Sequence, residues 1–162
     1  MRPLLLVLLL STSAVAAALG QQTPAAPATD SAYDPALAQR LGADERGMRR
    51  YVLVILKTGP KTDIPKDERS KMFSGHMANI GRLAAEGKLL LAGPMMEENE
   101  RHFEGIFVFD VPTVADAIPL LATDPAVAGG ALAYEAFAWY ATAALKDVPA
   151  IHRRIDKTSR PK

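Results

Sequence analysis

HMANIGRLAAEGKLLLAGP, His76 to Pro94, reads as the end of an amphipathic helix, a glycine stop at Gly87, a short apolar strand and a turn at Gly93-Pro94. Upstream, Phe73, Met77, Ile80 and Ala84 recur at three- and four-residue intervals and mark one buried stripe. Asp67 and Glu68 suit the positive end of a helix dipole, so the spacing predicts a helix from about Pro65 to Glu86. The strand that follows runs from Leu89 to Ala92. His76 falls three residues after Phe73 and four before Ile80, which turns its imidazole inward.

Working outward, RRYVLVILKTGP gives a strand from Tyr51 to Lys57, rich in β-branched and apolar residues and ended by Gly59-Pro60. After the turn, the loop MMEENERH leads into a third strand, FEGIFVFD, from Phe103. A second helix then starts with Thr113 as N-cap and Asp116 three residues on; Pro119 inside it predicts a short or kinked helix. ALAYEAFAWYA supplies the last strand, about Leu132 to Tyr140. The order is β-α-β-β-α-β, a ferredoxin-like α+β arrangement in which two helices cover one face of a four-stranded antiparallel sheet.

A sheet with one wet face alternates apolar and polar residues, yet YVLVIL, LLLA, IFVF and AFAWY are apolar almost throughout. Something therefore covers the second face. One solution is the same surface of a second copy across a two-fold axis; the other is an N-terminal helix and C-terminal tail folded back over the sheet. The short helix is visible in DPALAQRLG, with Asp34 as N-cap, Pro35 at the first helical position and Gly42 as the stop.

The leader MRPLLLVLLLSTSAVAAALG carries one positive charge, an apolar run and small residues before Gln21, the layout of a secretory signal peptide cleaved after Ala18 or Gly20. An uncleaved anchor is the alternative, with Ser11, Thr12 and Ser13 against it. The organisation expected is a signal peptide over 1–20, a Pro/Ala-rich leader over 21–33, a helical extension over 34–46, the α+β domain over 47–145 and a basic tail over 146–162. Such a protein is secreted, into the periplasm in a bacterium, with no stable membrane association after cleavage. The absence of cysteine from the sequence excludes thiol nucleophiles, thiolate metal sites and disulfides. Lys and Arg number 19 against 18 Asp and Glu, a net charge of +1 that offers no general attraction to nucleic acid.

The ordered set HMANIGRLAAEGKLLLAGP, GIFVFDVPTVADA and TDPAVAGGALAYEAFAWY resembles the YCII-related family over about residues 51–140. The resemblance implies a dimeric α+β barrel, two ferredoxin-like sheets facing each other in a homodimer. It also implies a catalytic pair formed by a histidine on the first long helix and a carboxylate shortly after the AGP turn. His76 matches the histidine. The turn here continues GPMMEENE, so Glu97 stands where the family carries Asp, and Glu98 is the next choice.

Two readings of His76 follow. An imidazole moves protons near neutral pH and a carboxylate fixes its tautomer, which suits a cofactor-free lyase, isomerase or dehalogenase acting on a small cyclic or lactone-like organic acid. The other is a histidine held in the core by one backbone carbonyl, or lining the pocket of a non-catalytic dimer that binds a small apolar or aromatic ligand. His102 and the acidic loop offer further metal-ligating types, but nothing in their spacing demands a metal. Glu135, mid-strand in an apolar run, needs a cationic partner, with Arg49, Arg50 and Lys57 available.

Overall fold

The computed structural model describes residues 33–159. The proposed signal peptide and nearly all of the leader lie outside these residues. From Asp34 onward the chain forms one unit. Helix α1 (Pro35–Leu41) is capped by the Asp34 side chain, which accepts from the Leu37 amide at 2.9 Å, and stops at Gly42 in the left-handed conformation. Strand β1 (Met48–Thr58), helix α2 (Lys66–Ala85), strands β2 (Leu89–Pro94) and β3 (Phe103–Phe109), helices α3 (Val114–Ala122) and α4 (Pro125–Ala128), strand β4 (Leu132–Thr142), a 3-10 turn (Ala143–Asp147), helix α5 (Val148–Ile155) and a last 3-10 turn (Lys157–Ser159) follow.

The sheet order is β2-β3-β1-β4 with every neighbouring pair antiparallel, the ferredoxin-like arrangement. Period-two alternation along β1 decides which residues face the helices. Val52, Val54 and Leu56 join Phe107, Phe109 and Leu132 from the neighbouring strands, and Leu83, Ala117 and Leu121 of α2 and α3 close over them. Burying a leucine of this kind is worth about 1.5–3 kcal/mol. α3 is short, with Pro119 on its exposed side, and a separate one-turn helix, α4, begins at Pro125.

The opposite face carries Tyr51, Leu90, Val108 and Ala141, packed against Leu53, Leu91 and Leu145. The tail thus takes part in covering it: Leu145 of the 3-10 turn packs on this cluster, and Lys146 joins Arg49 in pairing with Asp110, at 3.1 and 2.9 Å. Within the basic tail, residues 148–155 form a helix. The cover is partial. Register places Tyr51, Leu53 and Ile55 of β1 beside Trp139, Phe137 and Glu135 of β4, and Phe137 and Trp139 remain 46% and 37% exposed. Glu135 finds Lys57, one of the cations expected for it, at 2.7 Å. Among the described residues no helix is long and apolar enough to cross a membrane.

Candidate functional site

Helix α2 delivers His76 to the underside of the sheet. The imidazole is 8% exposed and stacks on Phe107 of β3, ring centroids 5.8 Å apart at 22°, with Phe73 of its own helix at 5.8 Å on another side. Nδ1 lies 2.6 Å from Oδ2 of Asp124, a carboxylate that is 1% exposed. Asp124 is itself held: its Oδ1 accepts from the Ala126 amide at 2.9 Å as the N-cap of α4. A carboxylate only accepts hydrogen bonds, so Nδ1 carries the proton, and in the ring's neutral form Nε2 presents a bare lone pair.

Every buried side-chain nitrogen or oxygen among the described residues has a partner, and none of those residues pairs with Nε2. Nε2 is therefore open to the cleft that His76 lines. That cleft measures about 400 Å³ and lies between α2 and the helix-facing side of β2 and β3. Phe73, Met77 and Ile80 form the helical wall; Leu56, Phe107, Pro94 and Gly105 form the sheet wall. Gly105, paired with Leu56 and Pro94, contributes no side chain here, which opens the hollow. A Cβ on it would come 2.7 Å from the Gly93 carbonyl oxygen.

The approach of α2 to α4 is set by another glycine. A Cβ on Gly75 would meet Pro125 Cγ at 2.8 Å, so only glycine lets the residue before His76 pack this close to the residue after Asp124. A polar clasp holds the same two segments: Arg82 donates to Asn79 at 2.8 Å and to Thr123 at 3.0 Å.

The acid joined to His76 is thus not the one expected. Glu97 and Glu98 stand exposed in the 95–102 loop and line a separate shallow hollow with Glu100 and His102. The loop's base is braced by Asn99, whose side chain accepts from the Phe103 amide at 3.0 Å and donates to its carbonyl at 2.9 Å. Neither Glu97 nor Glu98 lines the cleft that His76 lines. The carboxylate that reaches the imidazole comes instead from TDP, 48 residues along the chain. Its sequence signal was an Asp in N-cap position before Pro125 within a run of small apolar residues. Among the described residues no group of three or more His, Cys, Asp or Glu stands together to hold a metal.

No curated protein matches the chain. Similar solved structures include the 5-chloro-2-hydroxyhydroquinone dehydrochlorinase of Burkholderia phenoliruptrix AC1100 in complex with 2,5-dihydroxybenzoquinone. It is 17% identical with a TM-score of 0.43, over 55% of this chain and 92% of that one. Another is a dimeric protein of unknown function and ferredoxin-like fold from Bacteroides fragilis NCTC 9343, 19% identical with a TM-score of 0.34, over 57% of this chain and 97% of that one. The YCII-related domain matches residues 50–140, more than half of the sequence, and with the βαββαβ sheet in place the chain belongs to the YCII-related family.

Proposed function

We propose that this protein is an exported, homodimeric, cofactor-free enzyme of the lyase, isomerase or dehalogenase type, in which His76 moves a proton on a small organic substrate. The observation that carries the reading is the 2.6 Å contact between the His76 Nδ1 and a buried carboxylate at the wall of an apolar cleft. Asp124 holds one tautomer and orients the ring. Nε2 then accepts a proton from a substrate carbon or oxygen, and the buried carboxylate stabilises the imidazolium that results. Glu97 has no part in this step. The exposed Phe137 and Trp139 beside Leu53 and Ile55 support assembly through the open sheet face. The three-part leader supports export.

The test is solvent-deuterium incorporation into small ring compounds with an acidic C–H, compared between the wild type and H76N. Incorporation by the wild type that H76N abolishes supports the enzyme. Saturable binding without exchange, equal in both proteins, assigns the cleft to a non-catalytic binding protein instead.

A further inference from the structure

Among the described residues His76 and Glu104 are the two ionisable side chains lining the cleft, and no Lys or Arg joins them. Glu104 owes its position to an irregularity in the sheet. The β1–β3 register passes from Leu56 opposite Gly105 to Lys57 opposite Phe103, so Glu104 is the extra residue of a bulge, with no partner of its own on β1. Bulges re-aim side chains. This one leaves Glu104 at the border between the cleft and the loop hollow, both of which it lines. Its carboxylate is fixed there by Thr58, whose hydroxyl donates to Oε1 at 2.5 Å, and its backbone carbonyl accepts from the Met95 amide at 2.9 Å. Oε2 is left to accept from a ligand.

We propose that the cleft selects a neutral, hydroxyl-bearing ring compound, with Glu104 accepting the ligand's hydroxyl and repelling any ligand that carries a carboxylate. The proposal rests on the cleft being the functional site. Phe73, Met77, Ile80 and Phe107 supply apolar surface for a ring. Anions meet the negative charge of Glu104 at the rim, and of Glu97, Glu98 and Glu100 in the adjoining hollow. The nearby cations do not relieve this. Arg69 lies over the Phe73 ring at 5.0 Å and Arg101 over Phe103 at 6.0 Å, and neither lines the cleft. A cationic ligand would satisfy Glu104 but oppose the imidazolium formed when His76 accepts a proton. A neutral hydroxyl satisfies both groups. This narrows the substrate away from the preformed organic acid that the sequence suggested.

Phenol, benzoate and benzylammonium share a ring and differ in charge, and ¹³C-methyl signals of Met77 and Met95 report occupancy of the cleft. The wild type is expected to bind phenol at least tenfold more tightly than either ion. E104Q keeps an acceptor without the charge, so benzoate gains about tenfold while phenol stays within about threefold. E104L removes the acceptor and weakens phenol about tenfold, the effect of a hydrogen bond to a charged group. T58V frees the carboxylate without neutralising it, so phenol weakens and benzoate remains excluded. Deuterium exchange is read separately in H76N and charge discrimination in E104Q, so failure of the proton-transfer reading is seen apart from failure of this one. Preference for either ion in the wild type, an unchanged ratio in E104Q, or no binding of phenol at millimolar concentration overturns the proposal.

Discussion

Replacing Asp124 by Asn separates what its two oxygens do. Oδ1 caps α4 by accepting from the Ala126 amide, and Oδ2 accepts the hydrogen bond from the His76 Nδ1. Asn keeps an oxygen for the cap, because turning the amide the other way would aim its NH2 at the Ala126 N–H. The NH2 then faces Nδ1, which accepts only as a lone pair, so the imidazole proton moves to Nε2 and the cleft meets a donor in place of an acceptor. Both new contacts are satisfied, so the loss of stability should stay near the ~1 kcal/mol net value of one hydrogen bond. D124A differs. It removes a cap worth about 0.5–2 kcal/mol and strands a buried ring N–H at about 1–3 kcal/mol. Two losses at one residue are not strictly additive, and about 2–4 kcal/mol brackets them. At about 4 °C per kcal/mol that is a fall in Tm of roughly 8–16 °C. Long-range ¹⁵N–¹H spectra of the neutral imidazole read the tautomer directly. The expected result is a protonated Nδ1 in the wild type and a protonated Nε2 in D124N, with any proton-transfer activity lost by orders of magnitude; the same swap costs about 10⁴-fold in Ser-His-Asp hydrolases. An unchanged tautomer in D124N, or full activity with the changed one, refutes the assignment of Asp124 as the residue that positions the base.

Two glycines on one helix give opposite outcomes. G75A drives a methyl into Pro125 and should cost about 1–3 kcal/mol in thermal melts, whereas at Gly81 an added Cβ meets nothing within 4 Å and G81A should gain about 0.5–1 kcal/mol. Light scattering should show a dimer for the wild type and a monomer for F137E, with Trp139 shielded from iodide in the first and quenched in the second; a monomeric wild type removes the open sheet face as the interface. The α1 extension is fastened by the Tyr140 hydroxyl donating to Asp44 and by Arg40 on Asp147 at 2.8 Å. The first bond holds the Asp44 carboxyl below its ordinary value and raises the Tyr140 phenol, while Arg40 lowers Asp147. Depressed carboxyls contribute above their unfolded values and lose that contribution as pH falls through the folded ones. A raised phenol contributes below about pH 10 and fades above it. Amide exchange over residues 35–47 should therefore be slowest between about pH 4 and 10, after correction for intrinsic rates; equal protection at pH 3 and pH 7 contradicts the latch.

The elements of this fold were legible because each is written locally. Pro65 and Gly87 bound α2, Thr113 caps α3, and apolar runs mark the strands, so the order of elements and hence the sheet follow from short windows of sequence. The second sheet face was legible only as a demand for cover. Both candidate covers were consistent with the pattern, and the structure shows the tail meeting part of that demand at Leu145 while Phe137 and Trp139 stay partly open. The site was half legible. His76 follows from helical phase, but its partner does not, since a pairing across 48 residues leaves no periodic trace. The acidic loop drew attention because it carries carboxylates in excess, whereas Asp124 sits alone among alanines and looks like an ordinary cap before a proline. It is one. The same geometry that lets Oδ1 cap α4 points Oδ2 at the helix opposite, and whether a histidine meets it depends on how closely the helices approach. That distance is set by Gly75 against Pro125, so the residue that makes the pair possible carries no functional group at all.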